Sequence, residues 1–282
     1  MTKGTCLCGA VQYDVDGPFN SMVSCHCSMC RKHHGAAFAT FAGAPIGGFR
    51  WLRGESELDS YESSVQGTRS FCRHCGSVGP TLLPDMGIVL CPAGNLEGDL
   101  GIKPQAHWFV GSKAPWFAIT DSLPQHAAYP PEFGMPGLER DRAEVKAGVV
   151  AGACLCGDVR FELEGAPSRM WHCHCSRCRR ARSAAHASNV FYKFAQLRIL
   201  RGADRIADYK VPEARLFGVA FCRRCGSDVP RAVRERDVVV VPGGSLDQDP
   251  GIRALAHIFV TSKAPWEDIT DTTPQYPEAP PA

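Results

Sequence analysis

Fifteen cysteines occur among the 282 residues, and all but Cys91 fall into short units. C-x-C occurs at Cys6-Leu7-Cys8 and Cys154-Leu155-Cys156, C-x-x-C at Cys72 to Cys75 and Cys222 to Cys225, and C-x-C-x-x-C at Cys25, Cys27, Cys30 and at Cys173, Cys175, Cys178. At about 5% of the chain they are too sparse for a small disulfide scaffold. Met1 to Cys6 shows no apolar run behind a basic start, so no signal peptide is expected and the expected compartment is the cytoplasm. Closely spaced thiols kept reduced there are metal ligands or catalytic groups.

Each half carries seven such cysteines, which divide naturally into four and three. A structural zinc takes four protein ligands in a closed shell, whereas a catalytic zinc commonly keeps three and an exchangeable position. Pairing C-x-C with C-x-x-C across a long loop gives four-thiolate sets at Cys6, Cys8, Cys72, Cys75 and at Cys154, Cys156, Cys222, Cys225. Cys25, Cys27, Cys30 and Cys173, Cys175, Cys178 then form two three-thiolate sets with a free corner, the candidate catalytic sites. That division implies two zinc ions per half and about four per chain. The free corner could take an exchangeable anionic ligand, with Arg31 or Lys32 as the nearby cation holding it. Spacing leaves a rival open, in which a histidine, His33, His34 or His107 with its counterpart His257, closes the second shell. In that case a non-catalytic zinc module remains. His26 and His174, between two ligands, are expected beside the metal or facing solvent rather than on it. His107 and His257, in apolar strands, read first as hydrogen-bonded core histidines.

These sets belong to a sequence written twice. Cys6 through Cys30 recur at a shift of 148, and Cys72 and Cys75 at a shift of 150, so two residues are inserted around Val211 to Phe217. Ala106-His107 and Ser112 to Trp116 return as Ala256-His257 and Ser262 to Trp266. The expected organisation is a domain at 1–127, a Pro- and Gly-rich then charged linker at 128–148, a second domain at 149–276, and a frayed tail at 277–282. Gly9 to Val15 and Gly157 to Leu163 alternate like half-buried strands, while Gly87 to Pro92 and Asp237 to Pro242 read as buried strands ended by proline. Helical periodicity is confined to a turn or two after Cys30 and Cys178, so the fold class is mainly β.

The net charge of +2 argues against nucleic acid as a partner, and no stretch is apolar enough for a membrane span. Cys91, which faces Val241 in the second copy, reads as core. Trp116 and Trp266 read as apolar anchors at a domain edge, and Lys113 and Lys263 as surface or anion-binding charges.

Gly4-Thr5-Cys6-Leu7-Cys8-Gly9, Cys25 to Lys32, Phe71 to Ser77 and the closing His107 to Trp116 segment together resemble the glutathione-dependent formaldehyde-activating enzyme family, also called GFA or centromere-protein-V-like. Residues Cys154 to Trp266 resemble it again. The resemblance implies two tandem Mss4-like zinc-binding β-sheet domains of antiparallel sheets, each with a four-cysteine zinc and a second zinc at the C-x-C-x-x-C loop. It also implies glutathione and a small aldehyde as substrates, condensed to S-hydroxymethylglutathione by a carbon–sulfur lyase. The family's Arg-Lys and following Gly persist as Arg31, Lys32 and Gly35, against Arg179, Arg180 and Ser183, so the first copy is the one expected to be active if only one is.

Overall fold

The computed structural model describes residues 1–65, 67–130 and 148–280; most of the expected linker, residues 131–147, lies outside them. The first copy runs β1 (Thr2–Thr5), β2 (Gln12–Val15), β3 (Ser21–Cys25), α1 (Ser28–His34), β4 (Ala39–Pro45), β5 (Phe49–Arg53), β6 (Leu58–Ser64), β7 (Gly67–Cys72), β8 (Thr81–Leu83), β9 (Ile88–Pro92), β10 (Ala106–Trp108) and β11 (Gln125–His126). The second runs β12 (Val149–Ala153), β13 (Arg160–Glu164), β14 (Arg169–Cys173), α2 (Ser176–Arg182), β15 (Ala187–Tyr192), β16 (Leu197–Arg201), β17 (Ile206–Lys210), β18 (Gly218–Cys222), β19 (Asp228–Val229), β20 (Arg231–Val233), β21 (Val238–Pro242), β22 (Ala256–Ile258) and β23 (Gln275–Tyr276).

Both copies build the same sheets. A three-stranded sheet β1-β2-β5 is repeated as β12-β13-β16, and a six-stranded sheet β11-β10-β3-β4-β9-β8 as β23-β22-β14-β15-β21-β20. The hairpin β6-β7 returns as β17-β18, with β19 added at its edge. The sheets are not wholly antiparallel: β10 runs parallel to both β3 and β11, and β22 likewise to β14 and β23. The long connections that precede β10 and β22 bring each back in the same direction, which a tight hairpin could not do. Pro277 and Glu278, expected to fray, instead offer carbonyls to Thr261 Oγ1 and to the Phe259 amide.

Each helix starts at a cysteine of the C-x-C-x-x-C unit. The Cys27 and Cys175 sulfurs accept from the Cys30 and Cys178 amides and so cap α1 and α2, and both helices stop at a left-handed residue, Gly35 (φ 58°) and Ser183 (φ 50°). A serine there is strained relative to glycine, but its hydroxyl accepts from the Val78 amide of the other copy at 2.9 Å.

That contact belongs to a junction in which the copies share one core. Tyr13, Val15, Met22 and Trp116 pack in a single cluster with Phe161, Leu163, Met170 and Trp266, so the two tryptophans lie in the shared interior, not at an edge. Contacts across it come in reciprocal pairs, as a two-fold interface requires. Lys32 bonds Asp247 while its counterpart Arg180 bonds Glu97, and a Cβ at Gly76 would meet the Phe221 ring as one at Gly226 would meet Phe71. No helix among the described residues is long and apolar enough to cross a membrane.

Candidate metal centres

Four sulfurs converge in each closed set. Cys6 Sγ lies 3.5 Å from Cys8 Sγ, which lies 3.6 Å from Cys72 Sγ; the second copy has 3.4 Å for Cys154–Cys156 and 3.7 Å for Cys156–Cys222. Cys75 and Cys225 complete the sets, all sulfurs lying within 4.8 Å of one another. Sulfurs bonded to a common tetrahedral zinc at about 2.3 Å stand roughly 3.8 Å apart, so the donor set fits that ion, while the spacing is far beyond a disulfide's. The geometry follows from the local sequence. A glycine after each pair, Gly9 and Gly76 (both φ 75°), turns the chain left-handed so that its amide bonds back to Cys6 O or Cys72 O. The Val11 and Val159 amides donate to Cys6 and Cys154 Sγ at 3.3 and 3.2 Å, which favours the ionised sulfur.

The other six cysteines form the two triads. Cys25, Cys27 and Cys30 lie within 4.8 Å of one another, as do Cys173, Cys175 and Cys178, and all six are buried. The end of a strand brings the first sulfur, and the helix cap and first turn bring the other two. Among the described residues no fourth His, Cys, Asp or Glu joins either set. Hydrogen bonds from Cys25 and then Cys27 hold the Cys30 thiol well below its usual range, with the Arg69 guanidinium adding to the effect. In the second copy, bonds from Cys173 and Cys178 bring Cys175 down to about 2.

The histidines weighed as closing ligands are engaged elsewhere. His107 Nδ1 pairs with His26 Nε2 at 2.9 Å and its Nε2 with Asp121 at 2.9 Å; His257 repeats this with His174 at 2.8 Å and Asp271 at 3.0 Å. His26 and His174 are thus buried rather than solvent-facing, and burial, then the neighbouring His107 or His186 ring, lowers them to about 3 and about 2, so both are neutral near pH 7. His33 Nδ1 donates to Cys225 O, and His34 Nδ1 to Arg182 O and Ser183 O, across the junction.

Of the two cations expected beside the first triad, Lys32 faces the junction, its Nζ 2.6 Å from Asp247 and 3.1 Å from Ala153 O, while Arg31 Nε donates to Ser112 O of its own copy at 3.2 Å. The cation that does reach the triad is Arg69, whose two terminal nitrogens each lie 3.6 Å from Cys30 Sγ. Sequence reasoning passed over it, although a signal exists: two residues before buried Phe71 in β7, it shares that strand's inward face. Lys113 and Lys263 close their own turns on Phe117 O and Glu267 O. Cys91 is fully buried, and burial pushes its thiol up to about 12.

The fold and its sulfur clusters define a tandem β-sheet protein with four cysteine sites able to hold metal. The profile of the glutathione-dependent formaldehyde-activating enzyme family matches residues 1–112 and 149–262, and the chain belongs to that family. No curated protein matches the chain. Among solved structures, the crystal structure of a Rhodobacter sphaeroides protein is 32% identical, over 34% of this chain and 89% of that one, with a TM-score of 0.28.

Proposed function

We propose that this chain is a zinc-dependent enzyme of the carbon–sulfur lyase type, acting in a reducing compartment such as the cytoplasm, that joins a small glutathione-like thiol to a small aldehyde such as formaldehyde. The observation that carries the reading is the pair of buried triads, each lacking a fourth protein donor among the described residues. On this reading Cys25, Cys27, Cys30 and Cys173, Cys175, Cys178 each hold one zinc, and the two four-cysteine sets hold two more in closed shells, four per chain. Zinc, when bound, supplies the triad with an open position at which a thiol loses its proton.

The chain's own residues do the rest. The helix caps fix Cys27 and Cys175 through the Cys30 and Cys178 amides at 3.3 and 3.4 Å. Arg69 offsets the negative charge of the first triad and presents donors where charge develops on the aldehyde oxygen. The Asp121–His107–His26 chain, and Asp271–His257–His174 with it, pins the loop that carries the cysteines. In the overall change the thiol S–H bond breaks and a C–S bond forms at the carbonyl carbon. The proton ends on the former carbonyl oxygen, so no oxidant or reductant is needed.

Zinc-loaded protein mixed with glutathione and formaldehyde should speed adduct formation above the uncatalysed rate, followed by NMR exchange between free and bound methylene. The double substitution Cys25→Ser with Cys173→Ser should abolish that increment while metal remains in the four-cysteine sets. Rates equal to the uncatalysed reaction in the fully loaded protein would leave a non-catalytic zinc module.

A further inference from the structure

Where the copies meet, a pocket of about 280 Å³ is walled by the same segment of each, residues 117–123 of the first and 266–271 of the second. Its two sides are not alike. On one, Phe38 and Phe117 lie against each other with ring centres 5.3 Å apart. Their counterparts, at shifts of 148 and 150, are His186 and Glu267, which line the other side. One copy keeps an aromatic pair where the other presents an imidazole and a carboxyl.

Neither polar group is met by the protein. His186 is 4% exposed, and its Nδ1 has no partner in hydrogen-bond geometry among the described residues. The Glu267 carboxyl makes no hydrogen bond or ion pair among them either. Burial, offset only in part by Lys263, pushes that carboxyl up to about 8, and Asp268 and Asp121 add to the rise. Groups left unmet in this way cost about 1 to 3 kcal/mol each, so two of them facing one pocket point to a ligand that meets both. The surrounding charge sets its sign. Of the four wall carboxylates, Asp268 is bound to Lys103 at 2.6 Å, and Asp121 and Asp271 are held by His107 and His257, which leaves Glu267 to take a partner. Phe38, Phe117 and Trp266 add aromatic faces, which also favour a cation.

We propose that this junction pocket binds a small organic amine in its ammonium form, with the charged nitrogen between Glu267 and His186 and the apolar body against Phe38, Phe117 and Trp266. A primary ammonium brings a positive charge and three donors, which suits a carboxylate and an imidazole lone pair together. The volume equals that of roughly nine waters, enough for an arylalkylamine. The site arises from the joining of two unlike copies, uses none of the clustered cysteines, and is independent of whether the triads are catalytic.

The test is calorimetric titration of the zinc-loaded full chain at pH 7 with 2-phenylethylamine, neutral 2-phenylethanol and anionic 3-phenylpropionate. The amine should bind once per chain, at least about tenfold more tightly than either. Its binding should release up to one proton as the Glu267 carboxyl ionises, read as a heat that changes with the ionisation enthalpy of the buffer. Glu267→Gln, which removes the charge and keeps the shape, should weaken the amine at least about tenfold, and Glu235→Gln, away from the pocket, should leave it within about twofold. His186→Phe, which installs the first copy's residue, gives a second reading should Glu267→Gln lose its native melting transition. Equal binding of amine and alcohol, or amine binding untouched by both pocket substitutions, overturns the proposal. Uptake of one further zinc ion that Glu267→Gln abolishes, with no amine bound, would assign the pocket to a metal and overturn it as well.

Discussion

Thr120 Oγ1 and Thr270 Oγ1 lie 2.5 Å apart, and each residue is the other's copy at a shift of 150. A residue that touches its own counterpart must sit on the axis relating the two copies. The tandem chain is therefore built as a two-fold pair joined in one polypeptide, and its stability should depend on that junction as much as on either set of clustered cysteines.

The tightest part of the junction is backbone against backbone. A Cβ on Gly244 would stand 2.2 Å from Arg31 O and 2.4 Å from Ala36 O, and one on Gly94 would stand 2.2 Å from the Ala184 amide. Gly244→Ala should cost about 2 to 3 kcal/mol, at the upper end for overpacking because backbone cannot swing aside. Gly47→Ala, with nothing within 4 Å of the new atom, should be near neutral. Urea midpoints compare the two directly, and similar midpoints would contradict the described junction.

The reciprocal ion pairs should differ in weight. Lys32 and Asp247 have side chains only 13% and 19% exposed, against 32% and 46% for Arg180 and Glu97. Lys32→Ala leaves a nearly buried carboxylate unpaired and should destabilise by about 3 kcal/mol, whereas Arg180→Ala should cost under about 1 kcal/mol. Thermal unfolding of the two variants decides the order.

Acid should loosen the junction through His34. Burial lowers this ring from 6.5 to about 4, so the unfolded chain binds its proton first as pH falls. The stabilising contribution is present above pH 6.5 and is lost on acidification toward pH 4, amounting to about 2 kcal/mol by pH 5. His34→Asn keeps a donor for the Arg182 and Ser183 carbonyls but cannot titrate. Its stability should fall less than the wild type's between pH 7.5 and 5.0, and parallel falls would count against the ring's neutrality.

The two kinds of cysteine set should respond differently to loss of a ligand. Cys72 is fully buried and its set ties β1 and β2 to the end of β7, so Cys72→Ser should unfold the first copy and, through the shared core, weaken the second. Cys25→Ser should leave the chain folded with one zinc fewer. Far-ultraviolet dichroism with metal analysis checks both, and equal unfolding would make the triads structural.

Much of this was open to reading from residues alone, because metal ligands impose spacing. The duplication, the grouping of Cys6, Cys8, Cys72 and Cys75, and strands β2, β9, β13 and β21 all follow from short-range patterns. The junction does not, since it depends on contacts between residues more than 100 apart whose types differ between copies: His34 bonds a carbonyl of its own counterpart Arg182, and Ser183 replaces Gly35 and bonds Val78. The cation beside the first triad does not stand next to the cysteines in sequence. It is supplied by β7, a strand whose neighbours in space are fixed by the hairpin rather than by chain proximity.

The proposed chemistry requires three sulfurs with an open corner in each triad, and cobalt substitution reads that corner most directly. With cobalt in the triads and zinc in the four-cysteine sets, adding a small thiol should shift the visible d–d bands and strengthen sulfur-to-cobalt charge transfer as a fourth thiolate joins. A spectrum unchanged by saturating thiol, already that of a full four-ligand shell, would contradict it.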